Sequence, residues 1–418
     1  MFKKIVVLVS IMQYFFPAYL LAQEQAESLL ATRSHFKTTL LHKIKDNDPI
    51  TPPPPELFSI VKYPTSIGDM SAYLSKADGS NKKQAAIIWI AGGFPPGGMD
   101  ASAWTRVSPS NDQSAKIYRQ LGMVIMYPFL RGSGGNPGFQ EGFLGEVDDV
   151  ISALKYLQKV DYVDPNRIYL GGHSTGGTLA LLVAALTDQF RAVFAFGPVA
   201  DPQVYGASNA LHDSTIELEN KLRAPINYLT SIKSPTYVIE GTEGNIDSLN
   251  KLHSASKNKN VFFLPIKGAN HFETLAPINQ FIAQQITGST NTQLTLQESQ
   301  VQSVFDDFQT SILESSDLQL LANIRRSGIK LNGLKTVHYY FLSRNSDPLA
   351  ETAKELKSFG FSTHAIESRK DSNQENFYML RADKEVNLLD LRSVFSISAQ
   401  LTQLADKLRI QYDGWDIQ

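Results

Sequence analysis

A serine flanked by glycines stands between a strand-like run and a helix-like run. Ser174 is spaced as Gly-x-Ser-x-Gly between Gly172 and Gly176, after the strand-like run 167–170 and before the helix-forming run 179–185. Glycines two residues to either side permit a sharp turn that strains the serine backbone. The helix start then directs free N–H groups and its dipole toward developing negative charge. This pattern predicts that Ser174 is a nucleophile.

A serine hydroxyl needs a base to lose its proton near neutral pH. Eight histidines are available, and His271 follows the last strand-like run of the region around Ser174. The chain order serine, acid, histidine places the base at that point. His173 adjoins the nucleophile, but on a tight turn its side chain points away from the serine hydroxyl. We therefore predict His271 as the base.

An acid must hold the imidazole in the correct tautomer and stabilise its positive form. We expect it just after the strand-like run 236–240, in a loop that contains Glu243 and Asp247. Asp201, which follows the preceding strand-like run, is a third candidate. Glu243 is favoured, and Asp247 and Asp201 remain alternatives.

The negative charge that develops on a carbonyl oxygen needs two backbone donors, an oxyanion hole. One predicted donor is the N–H of Thr175, the residue after the nucleophile. The other is in the loop after the strand-like run 87–91, where Gly93 lets the backbone approach the substrate. The sequence has no metal-ligand spacing, so we expect neither a metal nor a cofactor.

The surrounding sequence alternates short β-rich and helical runs from about residue 57 to 285. Such alternation predicts a mostly parallel sheet covered by helices on both faces. We expect the segment 202–233 to form a cap over the pocket. The predicted strands cover residues 87–91, 123–127, 167–170, 192–196, 236–240 and 261–266.

A polar junction at 288–299 precedes a second, smaller pattern. Strands interleaved with two long helices predict a compact α+β domain. The predicted order is a helix at 300–325, a strand at 337–343, a helix at 349–359, strands at 362–368 and 376–382, a helix at 386–408 and a strand at 410–412.

Three stretches carry a resemblance to a known family. They are residues 163–168 leading into 172–177, the Tyr-Pro…Arg-Gly-Ser-Gly loop at 127–134, and Gly…His-Phe at 268–272. Residues 57–287 resemble an α/β-hydrolase with an eight-stranded sheet, and most closely the catalytic domain of the prolyl oligopeptidase family of serine peptidases. The resemblance implies a triad of Ser174, His271 and an intervening acid. Gly244 stands where that family normally has its aspartate.

The C-terminal residues 300–418 resemble another family, the B-type regulators of RNase E activity. The resemblance depends on the aromatic run at 337–341, on 356–361 and on Tyr-Asp-Gly-Trp at 412–415. It implies a ferredoxin-like fold that binds another protein.

The pattern of the N-terminal residues predicts an export signal. Two lysines precede an apolar run that ends at Ala22, and polar residues follow at once. We expect cleavage after Ala22 and a periplasmic or secreted protein, and the alternative is an uncleaved membrane anchor. Residues 23–56 then comprise a helix, indicated by apolar spacing over 25–45, and the proline-rich linker 52–55.

Composition excludes several classes of function. The chain has 418 residues, a formal net charge of −2 and no cysteine. A cysteine nucleophile, a disulfide framework and thiolate metal sites are therefore excluded, and the charge balance argues against nucleic-acid binding. The sequence predicts an exported serine hydrolase that cleaves peptide or carboxylic ester bonds through an acyl-enzyme. The alternative is an inactive hydrolase scaffold that acts as a protein-binding or adaptor module through its C-terminal domain.

Overall fold

The computed structural model of the protein describes residues 29–33, 36–93, 98–206, 209–288, 294–370 and 374–417. The predicted export signal and its cleavage site lie outside these residues. Within them, no helix has the length and apolar character needed to cross a membrane.

The N-terminal helix is shorter than predicted. Helix α1 covers Leu29–Arg33, and residues 36–57 contain no helix. Leu40 instead forms an isolated antiparallel bridge with His212, and the hydroxyl of Thr38 donates to the Glu219 carboxylate at 2.9 Å. The segment forms hydrogen bonds with the rest of the protein in place of the backbone hydrogen bonds of a helix.

The large domain is built on an eight-stranded sheet in the order β1-β2-β4-β3-β5-β6-β7-β8. The β1–β2 and β2–β4 pairs are antiparallel, and the remaining pairs are parallel. This is the predicted α/β-hydrolase fold. The strands are β1 (Phe58–Thr65), β2 (Gly68–Ser75), β3 (Gln84–Ile90), β4 (Val124–Pro128), β5 (Val163–His173), β6 (Val193–Phe196), β7 (Thr236–Gly241) and β8 (Val261–Ile266).

Helices cover both faces of this sheet, which is why β3 is buried along its whole length. One hydrophobic cluster packs α3, α4 and α6 against the first face, and a second packs α2 and α7 against the other. The segment predicted as a cap contains α5 and several short 3₁₀ turns. The helices are α2 (Ile117–Gln120), α3 (Glu146–Leu157), α4 (Thr175–Leu186), α5 (Glu217–Arg223), α6 (Ile246–Ala255) and α7 (Leu275–Gly288).

The register of the parallel strands aligns their carboxyl ends. His173 on β5 pairs with Phe196 on β6, and Phe196 pairs with Ile239 on β7. The residues one step beyond this row are Ser174 and Glu240, with Gly197 between them. The sheet therefore brings three separate parts of the sequence to one edge.

The C-terminal domain has the βαββαβ order and the sheet order β10-β12-β9-β13, which is the predicted ferredoxin-like arrangement. The predicted strand at 362–368 is divided into β10 and β11, which both pair with β12. The elements are α8 (Glu298–Arg326), β9 (Leu334–Ser343), α9 (Ser346–Ser358), β10 (Ser362–Thr363), β11 (Glu367–Lys370), β12 (Asn376–Asn387), α10 (Leu391–Leu408) and β13 (Gln411–Ile417).

One further difference concerns α10. The predicted helix at 386–408 begins only at Leu391, because residues 386–387 extend β12.

Helix α8 contributes to two hydrophobic cores. Its N-terminal half places Val301 and Phe305 in the core of the large domain, and its C-terminal half places Leu321 and Ile324 in the core of the small one.

Candidate active site

The turn after β5 holds Ser174 in a backbone conformation that non-glycine residues rarely adopt. Its φ is 55° and its ψ is −116°, and its N–H donates to the Phe196 carbonyl at 2.8 Å. A Cβ atom at Gly172 would lie 2.4 Å from the Gly176 carbonyl oxygen, and one at Gly176 would lie 2.1 Å from the Ile90 oxygen. The glycines of the motif are therefore required for close backbone approach, as predicted.

A buried carboxylate meets the imidazole of His271. Oε2 of Glu240 lies 2.8 Å from Nδ1 of His271, and Oε1 of Glu240 accepts a hydrogen bond from the Gly241 N–H at 2.7 Å. The Glu240 side chain is 1% exposed, whereas that of His271 is 18% exposed. A carboxylate can only accept hydrogen bonds, so Nδ1 carries the ring proton and Nε2 remains free to accept another.

Two glycines provide the space for this pair. A Cβ atom at Gly197 would lie 2.3 Å from Cε1 of His271 and 2.8 Å from Oε2 of Glu240. A Cβ atom at Gly244 would lie 2.4 Å from Oε1 of Glu240. The Glu240 side chain thus fills the space beside Gly244, the position at which the sequence comparison expected an aspartate.

Ser174 and His271 both lie at the carboxyl end of β6. The backbone of Ser174 is hydrogen-bonded to Phe196, and the ring of His271 lies against Gly197, the next residue. The structure therefore brings the predicted nucleophile and the predicted base to the same edge of the sheet.

In the described part of the chain, Nδ1 of His271 is hydrogen-bonded to Glu240 and to none of the three predicted acids, which corrects that prediction. Glu243 is exposed, and its backbone N–H donates to the Ala269 carbonyl. Asp247 is exposed in the first turn of α6. Asp201 caps a short 3₁₀ turn, and both of its carboxylate oxygens accept hydrogen bonds from Gln203. The acid was predicted in the loop after β7, whereas Glu240 is still part of the strand.

His173 supports the backbone of the base. Its Nε2 lies 3.2 Å from the carbonyl oxygen of His271, and the two rings are 4.5 Å apart between centroids. Burial, and then the neighbouring His271, lower the pKa of His173 to about 3. A neutral ring donates from one nitrogen only. Oε1 of Gln113 lies 3.1 Å from Nδ1. Since the His271 carbonyl requires the ring proton on Nε2, this amide must turn so that its NH₂ group faces Nδ1.

The predicted oxyanion donors adjoin the nucleophile. Thr175 is the first residue of α4, and N–H groups in the first turn of a helix have no acceptor within the helix. The Thr175 hydroxyl donates to the Gly93 carbonyl, and Gly93 has a φ of 115°. This bond ties the loop after β3 to the start of α4.

Tyr205 is a site residue whose contact was not predicted. Burial raises its pKa, and hydrogen bonds with the side chains of Thr178 and Ser174 oppose that rise. Its ring stacks on Phe143 at a centroid distance of 6.4 Å. Together with Leu211, these rings line a cavity of about 120 Å³, so the predicted cap segment does contribute to a pocket beside Ser174.

The neutral state of His173 predicts a specific dependence of stability on pH. Its folded pKa lies near 3 and an unfolded histidine has a pKa of about 6.5, so between these values the unfolded chain binds more protons. This contribution to stability is fully present above about pH 6.5 and falls on acidification, by up to ~1.4 kcal/mol per pH unit. In His173→Gln, the free energy of unfolding in urea should fall less steeply between pH 6.5 and 4.

His253→Gln is the matched control. Since His253 is exposed on α6, its replacement should leave the slope of the unfolding free energy against pH as in the wild type. A wild-type slope in His173→Gln would show that His173 is protonated in the folded protein.

Comparison with known proteins relates the two domains to two families. Residues 109–243 match the model of the prolyl oligopeptidase family, and residues 314–417 match that of regulator of ribonuclease activity B. An uncharacterized peptidase, YtmA, from Bacillus subtilis (strain 168) is 28% identical over 141 residues, which are 30% of this chain and 53% of that protein. The quorum-quenching protein AidA from Acinetobacter baumannii (strain MDR-ZJ06) is 30% identical over 79 residues, 19% of this chain and 26% of that protein.

Two solved structures of Pyrococcus enzymes align with part of this chain. The acylaminoacyl peptidase of Pyrococcus horikoshii aligns with a TM-score of 0.47 at 15% identity, over 59% of this chain and 44% of that one. An esterase of Pyrococcus furiosus aligns with a TM-score of 0.45 at 17% identity, over 59% of this chain and 97% of that one. The two family matches confirm both resemblances predicted from the sequence, to the prolyl oligopeptidase family in the large domain and to the ribonuclease regulators in the small one.

Proposed function

We propose that the protein is a serine hydrolase that cleaves carboxylic ester or peptide bonds through an acyl-enzyme on Ser174. The observation that carries this proposal is the Glu240 carboxylate, which is buried and lies 2.8 Å from Nδ1 of His271. A carboxylate there keeps the proton of the neutral ring on Nδ1 and leaves Nε2 to accept the serine proton. It also stabilises the imidazolium that forms during attack.

The reaction follows from these roles. The hydroxyl oxygen of Ser174 forms a bond to the substrate carbonyl carbon while its proton passes to Nε2 of His271. The imidazolium then gives this proton to the departing alcohol or amine, and the bond between the carbonyl carbon and the leaving group breaks. Water then attacks the carbonyl carbon of the acyl-enzyme and gives a proton to Nε2 of His271. This proton passes to the Ser174 oxygen as its bond to the acyl group breaks, which releases the carboxylic acid.

The negative oxygen of each tetrahedral intermediate requires donors that are already in place. We assign the N–H of Thr175 and the N–H of Gly93 to this role. The bond between the Thr175 hydroxyl and the Gly93 carbonyl supports the assignment, because it fixes the two residues relative to each other. The α4 dipole adds to the stabilisation of the oxyanion.

The family match and a relative agree with this chemistry. The prolyl oligopeptidase family match covers the segment that contains Ser174 and Glu240, and the Bacillus relative is named a peptidase. Peptides and esters are attacked at the same carbonyl carbon by the same three side chains, so both substrate classes are included in the proposal.

The alternative of an inactive scaffold depended on the lack of a convincing acid. Glu240 weakens that alternative, since burial of an unpaired carboxylate costs several kcal/mol and the nearby glycines accommodate its pairing with His271. A hydrolase that keeps this arrangement has the groups needed for turnover.

We propose a separate role for the C-terminal domain, the binding of another protein, which the match to the ribonuclease regulators supports. Helix α10 does approach the large domain, since burial and the charge of Glu243 raise the pKa of Asp406. Glu243, however, is exposed and is not part of the catalytic set.

Truncation after Glu314 tests this separation, because it retains Val301 and Phe305, which complete the core of the large domain. The truncated chain should hydrolyse a small 4-nitrophenyl ester within about threefold of the full chain, since the proposed catalytic groups all lie outside the removed part. A loss of ester turnover in a truncated chain that remains folded by circular dichroism would contradict the separate role.

Substitutions of the carboxylates test the proposed triad. Glu240→Gln should lower kcat for ester hydrolysis by roughly 10²- to 10⁴-fold, because the neutral amide no longer holds the tautomer or stabilises the imidazolium. Ser174→Ala and His271→Ala should be at least as impaired. The measurement is steady-state hydrolysis of 4-nitrophenyl butyrate at pH 7.5.

Glu243→Gln and Asp247→Asn are the matched controls, and each should remain within about twofold of the wild type, as expected for exposed carboxylates. The assignment of Glu240 would be wrong if Glu243→Gln abolished turnover and Glu240→Gln did not.

A further inference from the structure

One side chain from outside the proposed triad connects two loops of the candidate site. Oε1 of Gln113 lies 3.1 Å from Nδ1 of His173, and Nε2 of His173 lies 3.2 Å from the carbonyl oxygen of His271. A Cβ atom at Gly92 would lie 2.9 Å from Oε1 of Gln113 and 2.9 Å from Nδ1 of His173. Gln113 and His173 therefore pack between Gly92, which precedes the proposed oxyanion donor Gly93, and the proposed base.

Two buried aromatic side chains fix the backbone around Gln113. The indole N–H of Trp89 donates to the Gln113 carbonyl at 2.8 Å, and the hydroxyl of Tyr127 donates to the carbonyl of the next residue, Ser114, at 2.6 Å. Trp89 and Tyr127 are each 1% exposed and belong to the adjacent strands β3 and β4. Because a buried donor without an acceptor costs free energy, these bonds hold Gln113 against the sheet.

The contacts of His173 determine where its ring proton lies. The carbonyl oxygen of His271 can only accept a hydrogen bond, so Nε2 of His173 must donate one. The His173 side chain is fully buried, and its ring centroid lies 4.5 Å from that of His271. A second ring proton would place a buried positive charge beside a base that itself becomes positive during the attack. Nδ1 of His173 is therefore a lone pair, and a buried lone pair requires a donor.

An amide can satisfy this lone pair and remain neutral. The NH₂ group of Gln113 donates to Nδ1 of His173 when the amide is turned toward the ring. A glutamate of the same shape could only accept a hydrogen bond, so it would require a proton on Nδ1. The type of side chain at position 113 therefore sets the protonation of the histidine that holds the carbonyl of His271.

We propose that Gln113 is a positioning residue for hydrolysis at Ser174 and that it acts through His173. Its amide keeps His173 neutral with the proton on Nε2, and this N–H holds the carbonyl of His271. The inference rests on the proposed hydrolase function, because the position of His271 matters for turnover only if this residue accepts the serine proton. Since the same amide lies against Gly92, one pair of side chains holds both the loop after β3 and the loop that carries the base.

Gln113→Glu tests the proposal, because it keeps the shape of the side chain and reverses its hydrogen-bonding role. Gln113 is half-buried, so a carboxylate is tolerated there. His173 should then lose its bond to the His271 carbonyl or become an imidazolium beside the base, and either change impairs the proton transfer. The kcat for 4-nitrophenyl butyrate should fall at least about tenfold, and KM should stay within about threefold of the wild type.

Two variants serve as controls. Gln113→Met removes the donor without providing an acceptor, so the His271 carbonyl still keeps the proton of His173 on Nε2, and kcat should stay within about fivefold of the wild type. Gln120→Glu makes the same change of charge at an exposed position on α2 and should stay within about twofold. Equal losses in Gln113→Glu and Gln113→Met would show that position 113 only fills space, which would overturn the proposal.

A double-mutant cycle tests whether the effect passes through His173. In His173→Gln the imidazole is absent, so addition of Gln113→Glu should lower kcat by less than about twofold further. If the losses of the two single variants multiply in the double variant, Gln113 acts independently of His173 and the proposal is wrong.

Nitrogen-15 NMR of the histidine rings separates this proposal from the hydrolase function, because it does not require turnover. The His173 signals are assigned by their loss in His173→Gln. In Ser174→Ala, His173 should carry one proton, on Nε2, from about pH 5 to 8, and Gln113→Glu in the same background should place a proton on Nδ1. Titration of His173 in this range, or a proton on Nδ1 alone, would overturn the positioning role even if the wild type hydrolyses the ester. The expected protonation in a protein whose wild type has no turnover would support the arrangement of His173 and contradict only the hydrolase function.

Discussion

The candidate site depends on one buried contact between a carboxylate and an imidazole. Glu240 is almost fully removed from water, and in such surroundings a carboxylate is stable only with hydrogen-bond donors around it. Gly241 provides one donor and His271 the other. Removal of either partner would leave a buried charge uncompensated, so the end of β7 and the loop that carries His271 must form together.

The same constraint explains the neighbouring sequence. Gly197 and Gly244 have no side chain because a Cβ atom would occupy the space of the histidine–carboxylate pair. His173 is kept neutral by burial and by its position beside His271, and it holds the carbonyl of that residue. The hydroxyl of Ser174 thus belongs to a set of groups whose positions are fixed from several sides. The pocket that Tyr205 contributes to is lined by the stacked rings of Phe143 and Tyr205.

The sequence predicted the fold well because hydrophobic periodicity and glycine spacing are local signals. The continuous apolar runs of β3 and β8 lie where they were expected, and Ser174 and His271 lie at the same edge of the sheet. Glu240, the proposed acid, was not predicted, because the acid was expected in the loop after the strand and Glu240 is the last charged residue within the strand. A charged residue directly after the apolar run 237–239 is itself a signal, since a buried carboxylate requires a partner. Gln113 and Tyr205 reach the site from distant segments, and no local pattern indicates such contacts.

The most direct measurement of the central claim is mass-spectrometric mapping of a fluorophosphonate probe, which reacts only with an activated serine. The account predicts one label per chain on Ser174 in the wild type, labelling slowed by at least roughly tenfold in Glu240→Gln, and wild-type labelling in Glu243→Gln. Absence of label from Ser174 in the folded wild-type protein, or equal labelling rates in the wild type and Glu240→Gln, would contradict it.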